Sequence, residues 1–339
     1  LGTDFVVWLT GLQGEAVVYA QRYLHLLAFA LPFSTVLFVA NACLRGAGDT
    51  LTPAIAMTLV NLLNIGCSFG LTYGWFGLPA MGFTGIAAGT VIGYVVGGVL
   101  QVGVLLWGRR GVRLFAHRLR PHVLTLKRIL RIGLPFGTEG LLMWAANFVI
   151  LNIINRMDAT NVAPAAHTNA IRIEALSYMM GFAVASAAAT MAGQSLGMGS
   201  PRRAVRSAYL SYALGGGIMT LLGLFFVLFA EVPSEWMTSD PRVAELTASC
   251  LRVSGFVQCG FAASAIFGGA MRGAGDTFWV MVLNLSSIFG VRFLGVLIVG
   301  WWLDLGLYAI WVVLCIDLMS RGALMYGRFL QGGWKTVKV

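Results

Sequence analysis

The sequence predicts an all-α polytopic membrane protein made of two related helix bundles. Composition is the first reason: of 339 residues, 58% are hydrophobic and 11% charged, against roughly 25% charged in a soluble domain. Lipid must therefore be the solvent for most of the chain. The second reason is the regular return of apolar runs long enough to span a bilayer. The third is an internal repeat. Residues 41–50 read Asn-Ala-Cys-Leu-Arg-Gly-Ala-Gly-Asp-Thr, and residues 268–277 read Gly-Gly-Ala-Met-Arg-Gly-Ala-Gly-Asp-Thr. The match runs upstream at a constant offset, Leu24 with Leu251 and Phe29 with Phe256. After one gap, Trp8 and Thr10 fall against Trp236 and Thr238. A duplicated bundle in a membrane chain is the architecture of secondary transporters far more often than of channels, receptors or enzymes.

A spanning helix needs about 20 apolar residues. Nine stretches qualify: 26–45, 51–73, 80–107, 130–154, 164–197, 206–230, 243–271, 278–302 and 305–327. The second copy of the repeat, from about 121 to 339, holds six of them. The first copy, 1–120, holds three and a stub at 4–12. The expectation is a partial first lobe followed by a whole second one, with about three helices lying upstream of Leu1. Gly85, Gly89, Gly93 and Gly97 recur every fourth residue, a small-residue stripe that lets helices approach closely. Gly215, Gly216 and Gly217 are expected to loosen their helix. Trp75, Trp236, Trp301, Trp302 and Trp334 fall at segment ends, as interface anchors should. The cysteines 43, 67, 250, 259 and 315 lie inside apolar runs without metal or disulfide spacing and read as packing residues.

The net charge is +10, and its distribution excludes a nucleic-acid interface. Arg109, Arg110, Arg113, Arg118, Arg120, Lys127, Arg128 and Arg131 crowd one loop. Arg202, Arg203 and Arg206 lie two segments later, and Arg328, Lys335 and Lys338 end the chain. All fall on one side if each segment crosses once, while Glu231, Glu235, Asp240 and Asp304 fall on the other. That is the positive-inside pattern. It places the basic loops, both Arg-Gly-Ala-Gly-Asp-Thr turns and the C-terminus in the cytoplasm, and makes the two copies parallel repeats. The linker between them, which includes Pro121, is expected to lie along the anionic inner leaflet, where each basic residue gains about 1 kcal/mol.

In the repeated turn, glycine allows left-handed backbone at a helix C-terminus, and Asp with Thr can cap the next helix. A phosphate-loop role is rejected, because no strand precedes the turn and the Walker lysine is missing. The turn reads as structural.

These turns also carry a family resemblance, together with Gly133-Leu134-Pro135, Ala166-His167, Arg172-Ile173-Glu174, Gly193-Gln194-Ser195-Leu196-Gly197, Arg292, and Asp317 with Arg321. The chain resembles the MATE (multidrug and toxic compound extrusion) family of the MOP flippase superfamily. Glu139, four residues after Pro135, is more similar to DinF-type than to NorM-type members. The resemblance implies twelve helices in two six-helix lobes with a V-shaped cavity between them. It also implies export of organic, often cationic, compounds against a proton or sodium gradient. In the first lobe Asn64 and Thr90 match polar positions of the family's cation site, and Ser68 stands where many members carry aspartate. The NorM-type carboxylates of helices seven and ten fall on Met143 and Phe261, which puts a NorM-like sodium site in doubt.

Ionisable residues at membrane depth cost at least about 2.5–3.5 kcal/mol on insertion scales, so each needs a reason. Glu139 falls near the midplane. It is either a proton- or drug-responsive carboxylate or half of a buried ion pair with Arg172 on the next helix. Met143 and Asn147 continue its stripe at four-residue spacing and could face a ligand or another helix. Arg172 and Glu174 are two apart and point to different faces, so each needs its own partner, and both read as packing residues. His167, near the outer end of its helix, either titrates or simply hydrogen-bonds. Met179, Met180, Phe182 and Met191 could form an adaptable apolar wall. Asp317 and Arg321 are four apart and should pair locally. Arg292 should snorkel or bridge helices, and all three read as structural.

The function that fits best is a monomeric antiporter in a bacterial-type inner membrane. It would export small organic compounds by alternating access, with H+ or Na+ as coupling ion and no other cofactor. The alternative is a flippase for lipid or polysaccharide precursors, which would want a strongly cationic cavity. An intramembrane enzyme lacks its motifs here, and a channel its filter.

Overall fold

The computed structural model describes residues 15–109, 111–115, 122–158 and 160–337. The stub at 4–12, Trp8 and Thr10 included, lies outside these residues, as does the linker stretch 116–121. The chain divides into two compact units, Leu1–Arg120 and Pro121–Val339. Eight helices are long and apolar enough to cross a membrane, and a ninth span is a bent helix pair.

The first unit contains α1 (Glu15–Gly46), α2 (Leu51–Tyr73) and α3 (Phe83–Trp107). α1 starts well before residue 26, because Gln21, Arg22 and His25 interrupt the apolar run without breaking helical preference. Pro32 sits inside α1. Just beyond it, the hydroxyls of Ser34 and Thr35 both donate to the Leu31 carbonyl. The glycine stripe on α3 packs against α2. A Cβ on Gly85 would lie 2.6 Å from the Leu71 carbonyl carbon, and one on Gly89 would lie 2.5 Å from the Ser68 nitrogen. On the side of α3 facing α1, buried Gln101 donates to Asn41.

The repeated turn has the same build in each unit. After α1, Gly48 takes φ 86° and the Asp49 amide donates to the Leu44 carbonyl. In the second unit Gly275 takes φ 91° and the Asp276 amide donates to the Met271 carbonyl. Each aspartate then holds an arginine from the end of its unit's last helix: Arg109 Nε lies 3.0 Å from Asp49, and Arg328 Nη2 lies 2.9 Å from Asp276. The Thr52 hydroxyl and amide also donate to Asp49, and this bonding, Thr52 first, holds its carboxyl below the usual carboxylate range. The turn is thus a cap and a staple between distant helices at once.

The second unit contains α4 (Val123–Met157), α5 (Val162–Gly197), α6 (Pro201–Leu228), short α7 (Glu231–Met237), α8 (Pro241–Phe256) and α9 (Gln258–Gly273). It ends with α10 (Thr277–Trp302) and α11 (Gly306–Gln331). The stretch expected as one span at 243–271 is broken at Val257, where α8 and α9 meet at 57°. α10 widens into π-turns at Ile288–Phe293 and Leu297–Trp302, a form that recurs at functional sites. Gly215–Gly217 do not loosen α6, which is unbroken. Gly215 is a packing position, where a Cβ would press on Ile266 and Val184. Trp334 is no interface anchor either: it is fully buried, stacks on Phe329 at 5.0 Å and donates to that residue's carbonyl. Trp75, Trp236, Trp301 and Trp302 are exposed, as interface residues should be.

The apolar core of the second unit comes in two pieces. One, around Ala188, Ile266, Met271 and Phe329, lies at the end carrying the repeated turn. The other, around Ile154, Ala166, Leu251 and Trp311, lies at the opposite end. Along α5, α8–α9, α10 and α11, eight of the buried polar residues fall between the two: Glu174 and Ser177, Ser254 and Gln258, Asn284 and Ser287, Asp317 and Arg321. A polar layer therefore crosses the lobe at mid-depth.

The close approach of α2 and α3 is testable. Gly89→Leu should lower the thermal unfolding temperature in detergent, because overpacking costs about 1–3 kcal/mol. Gly103→Leu on the same helix meets nothing within 4 Å and should leave that temperature unchanged.

A candidate ion and substrate site in the second lobe

Glu139 lies on α4 four residues after Pro135, buried to 7% exposure. Its Oε1 accepts from Arg272 Nη2 at 2.6 Å and from Asn284 Nδ2 at 2.6 Å. The expected partner, Arg172, is not the one found. Arg172 sits on the exposed face of α5, whereas Glu174 two residues on is buried; matching depth was right but the direction around the helix was wrong. Arg272 belongs to the repeated turn. The turn's arginine, read from sequence as part of a structural loop, is the counter-charge of the carboxylate at mid-span. It also lies over the Phe136 ring at 5.2 Å, so the ring one helical turn before Glu139 helps hold it.

The pair is not closed off. Glu139 Oε2, Asn284 Oδ1 and Arg272 Nε are buried without partners among the described residues. Glu139 and Asn284 thus each keep one acceptor oxygen, and Arg272 one donor, without a partner. Buried polar atoms are rarely left unpaired, and those that are call for an explanation.

A second cluster lies deeper in the same layer. Asp317 is fully buried; its Oδ2 accepts from Arg292 Nε at 2.7 Å and Arg321 Nη2 at 2.5 Å. Its Oδ1 accepts from the Ser287 hydroxyl at 2.6 Å, which in turn lies 2.7 Å from the Ser320 hydroxyl. The local Asp317–Arg321 pair is as expected. Arg292, set in the π-turn of α10, bridges three helices: it reaches Asp317 on α11 and donates to Asn147 on α4 at 3.1 Å. The stripe on α4 therefore turns both Glu139 and Asn147 toward guanidinium groups of its own lobe. Met143 between them is half-buried.

Glu174 finds separate partners, as its spacing from Arg172 required. Ser254 Oγ donates to its Oε1 at 2.7 Å and Gln258 Nε2 at 3.2 Å, one residue from each side of the α8–α9 break. Ser177 donates to Gln258 Oε1 at 2.7 Å. The helix break is thus clasped by side chains from α5. Phe261 packs with Tyr178 and Phe182. Met179, Met180, Phe182 and Met191 are all exposed on α5.

In the first lobe Asn64 Nδ2 donates to Thr90 Oγ1 at 2.9 Å, and Thr90 donates to the Ile86 carbonyl. Ser68 Oγ lies 3.4 Å from that same carbonyl. The three predicted residues are brought together: Asn64 and Thr90 bond each other, and the Thr90 and Ser68 hydroxyls share the Ile86 carbonyl. Among the described residues there is no group of three or more His, Cys, Asp or Glu able to hold a metal.

Sequence reasoning missed Arg272, Asn284, Ser287, Ser254 and Gln258. Arg272 did leave a signal, its exact recurrence as Arg45 in the other copy. Cutting Asp317 out of its cluster should be severe: Asp317→Asn removes the counter-charge of buried Arg321 and of partly buried Arg292, and breaking a buried pair costs about 3–5 kcal/mol. A fall in thermal unfolding temperature, larger than that of Gly89→Leu, is the expected result.

Comparison with known proteins agrees with this architecture. The MatE family profile matches residues 1–69 and 135–298. Over 325 residues the chain is 30% identical to a probable multidrug resistance protein NorM of Thermotoga maritima, covering 96% of this chain and 69% of the relative. It is 27% identical to the multidrug resistance protein PmpM of Pseudomonas aeruginosa, covering 84% of this chain and 60% of that protein. Among solved structures, the outward-facing conformation of a multidrug resistance MATE family transporter of the MOP superfamily aligns with TM-score 0.86 at 23% identity, over 98% of this chain and 74% of that one. An inward-facing conformation aligns with TM-score 0.73, also at 23% identity, over 99% of this chain and 77% of that one. On the profile match and the Thermotoga maritima relative, the chain belongs to the MatE family of multi-pass membrane transporters.

Proposed function

We propose that this chain forms most of a proton-coupled antiporter that exports small organic, preferentially cationic, compounds by alternating access between its lobes. The basic ends of the helices face the cytoplasm of a bacterial-type inner membrane. The observation that carries the proposal is the Glu139–Arg272–Asn284 group: a carboxylate midway along α4 with one oxygen held and the other buried without a partner.

Ionised Glu139 attracts Arg272, and protonated Glu139 holds it far less strongly. Proton binding therefore changes the contact between α4 and the repeated turn, which is the differential interaction a coupling ion must have with two states. A cationic substrate drawn to the ionised carboxylate competes with the same proton. Sodium fits less well. It prefers a shell of oxygen ligands, whereas a guanidinium already occupies Glu139 Oε1 and two open oxygens remain, Glu139 Oε2 and Asn284 Oδ1. The Asn64, Thr90 and Ser68 group of the first lobe offers no carboxylate. The multidrug names of the relatives support an organic substrate.

The test uses the full-length protein in liposomes. An outward-directed organic cation such as ethidium should be driven by a pH gradient and not by a sodium gradient at constant pH. Glu139→Gln should abolish the gradient-driven component at normal expression. Unchanged transport by that variant would remove Glu139 from the mechanism, and sodium-driven transport would overturn the choice of ion.

A further inference from the structure

Asn284 and Glu139 are tied at one end and bare at the other. Asn284 Nδ2 donates to Glu139 Oε1 at 2.6 Å. Asn284 Oδ1 and Glu139 Oε2 are buried and lack partners among the described residues. The amide must present its nitrogen to Oε1, since its oxygen there would set acceptor against acceptor. For the same reason the two bare oxygens cannot satisfy each other while Glu139 is ionised. One added proton changes that. A carboxylic acid carries an O–H donor that the carboxylate lacks, and Asn284 Oδ1 is an acceptor without a donor.

We propose that Asn284 is the positioning residue for the coupling proton: protonated Glu139 donates from Oε2 to Asn284 Oδ1, while Asn284 Nδ2 keeps its bond to Oε1. The proposal rests on the reading of Glu139 as the proton-binding group. The proton is the imported coupling ion. It forms one covalent bond, Oε2–H, and no covalent bond of the protein breaks. A turn of the two planar groups about the existing Nδ2–Oε1 contact sets the bare oxygens against each other. Arg272 cannot stand in for Asn284, because a guanidinium has five donors and no acceptor. The two partners of Glu139 therefore respond in opposite ways. Arg272 holds Oε1 through Nη2 at 2.6 Å, a contact that depends on charge and weakens when the carboxyl is neutral. Asn284 gains a second bond. Asn284 stands on α10 and Arg272 at the end of α9. Protonation thus keeps α4 fixed to α10 and frees it from the repeated turn.

The other charged groups around α4 are paired or exposed. On α4 itself Arg131 is about two turns from Glu139 and exposed. On α10 Arg292 is bound to Asp317 and Asn147. Arg321 of α11, at longer range from Glu139, is bound to the same Asp317. On α5 Arg172 lies on the exposed face, and Glu174 is taken by Ser254 and Gln258. An amide suits the position because it carries a donor and an acceptor side by side. Leucine offers neither, and aspartate adds a second charge.

Infrared difference spectra of the full-length protein in liposomes, acid minus alkaline, test the assignment. The wild type should show a carboxylic acid carbonyl band that Glu139→Gln removes. In Asn284→Leu that band should move to higher frequency, because the acid loses both bonds to the amide. A second measurement needs no variant at 284. With an isotope label on the asparagine side-chain carbonyl, the wild type should show an asparagine band that moves to lower frequency on acidification, as Oδ1 begins to accept. Glu139→Gln should lose this shift, whereas an Asn284 that only holds Oε1 in place would never produce it. An acid band that Glu139→Gln removes but Asn284→Leu leaves unmoved, or the absence of the asparagine shift in the wild type, would overturn the role of Asn284 and leave that of Glu139 standing. A spectrum unchanged by Glu139→Gln would overturn the reading of Glu139, and the proposal with it.

Discussion

A carboxylate in the middle of a bilayer must find a partner or lose its charge. Glu139 meets that requirement with Arg272, and much of the second lobe is arranged so that it can. Arg272 reaches it from the last turn of α9. The direction of α9 is set by the 57° bend at Val257, and the bend is spanned by the hydrogen bonds of Glu174, Ser254 and Gln258. At the far side of the turn, Asp276 is tied to Arg328. The ion pair is thus held from both ends of one short segment, and the segment links the Glu139 carboxylate to the lobe's basic surface.

The polar layer explains why the core is divided. Apolar clusters at the two ends of the lobe exclude water and carry the packing. The layer between them contains three arginines, Arg272, Arg292 and Arg321, against Glu139, Asp317 and Glu174. Buried ion pairs are weak sources of stability, because desolvation offsets most of their attraction. The first lobe is milder at the described residues: its buried contacts between α1 and α3 use neutral Asn41 and Gln101. Asp49, its one buried carboxylate among the described residues, serves the turn rather than the span.

Much of the fold was legible in the sequence because hydrocarbon imposes length and polarity in one dimension. The spans, the repeat, the Gly85–Gly97 stripe and the Asp317–Arg321 pair all follow from spacing along the chain. The break at Val257 does not, since Ser254-Gly255-Phe256-Val257-Gln258 remains compatible with an apolar span; its partner Glu174 is 84 residues away from Gln258. Depth along a helix also gave the wrong partner for Glu139. Arg172 lies at a suitable height but on the exposed face of α5, whereas Arg272 is 133 residues away and looked like part of a loop. Azimuth around a helix, unlike depth, depends on neighbours that hydropathy does not reveal. Trp334 shows the same limit, because a tryptophan at a segment end can fold back on Phe329 instead of meeting lipid.

The central claim is that Glu139 and Arg272 act as one unit, and a double-mutant cycle on thermal stability tests it most directly. Arg272→Gln alone leaves a buried carboxylate without its counter-charge, and Glu139→Gln alone leaves a partly buried guanidinium without its own, so each should lower the unfolding temperature. Combined, the two changes should restore most of the loss, because amide faces amide and no charge is stranded. Losses that simply add in the double variant would show that the two side chains do not sense each other, and would contradict the account.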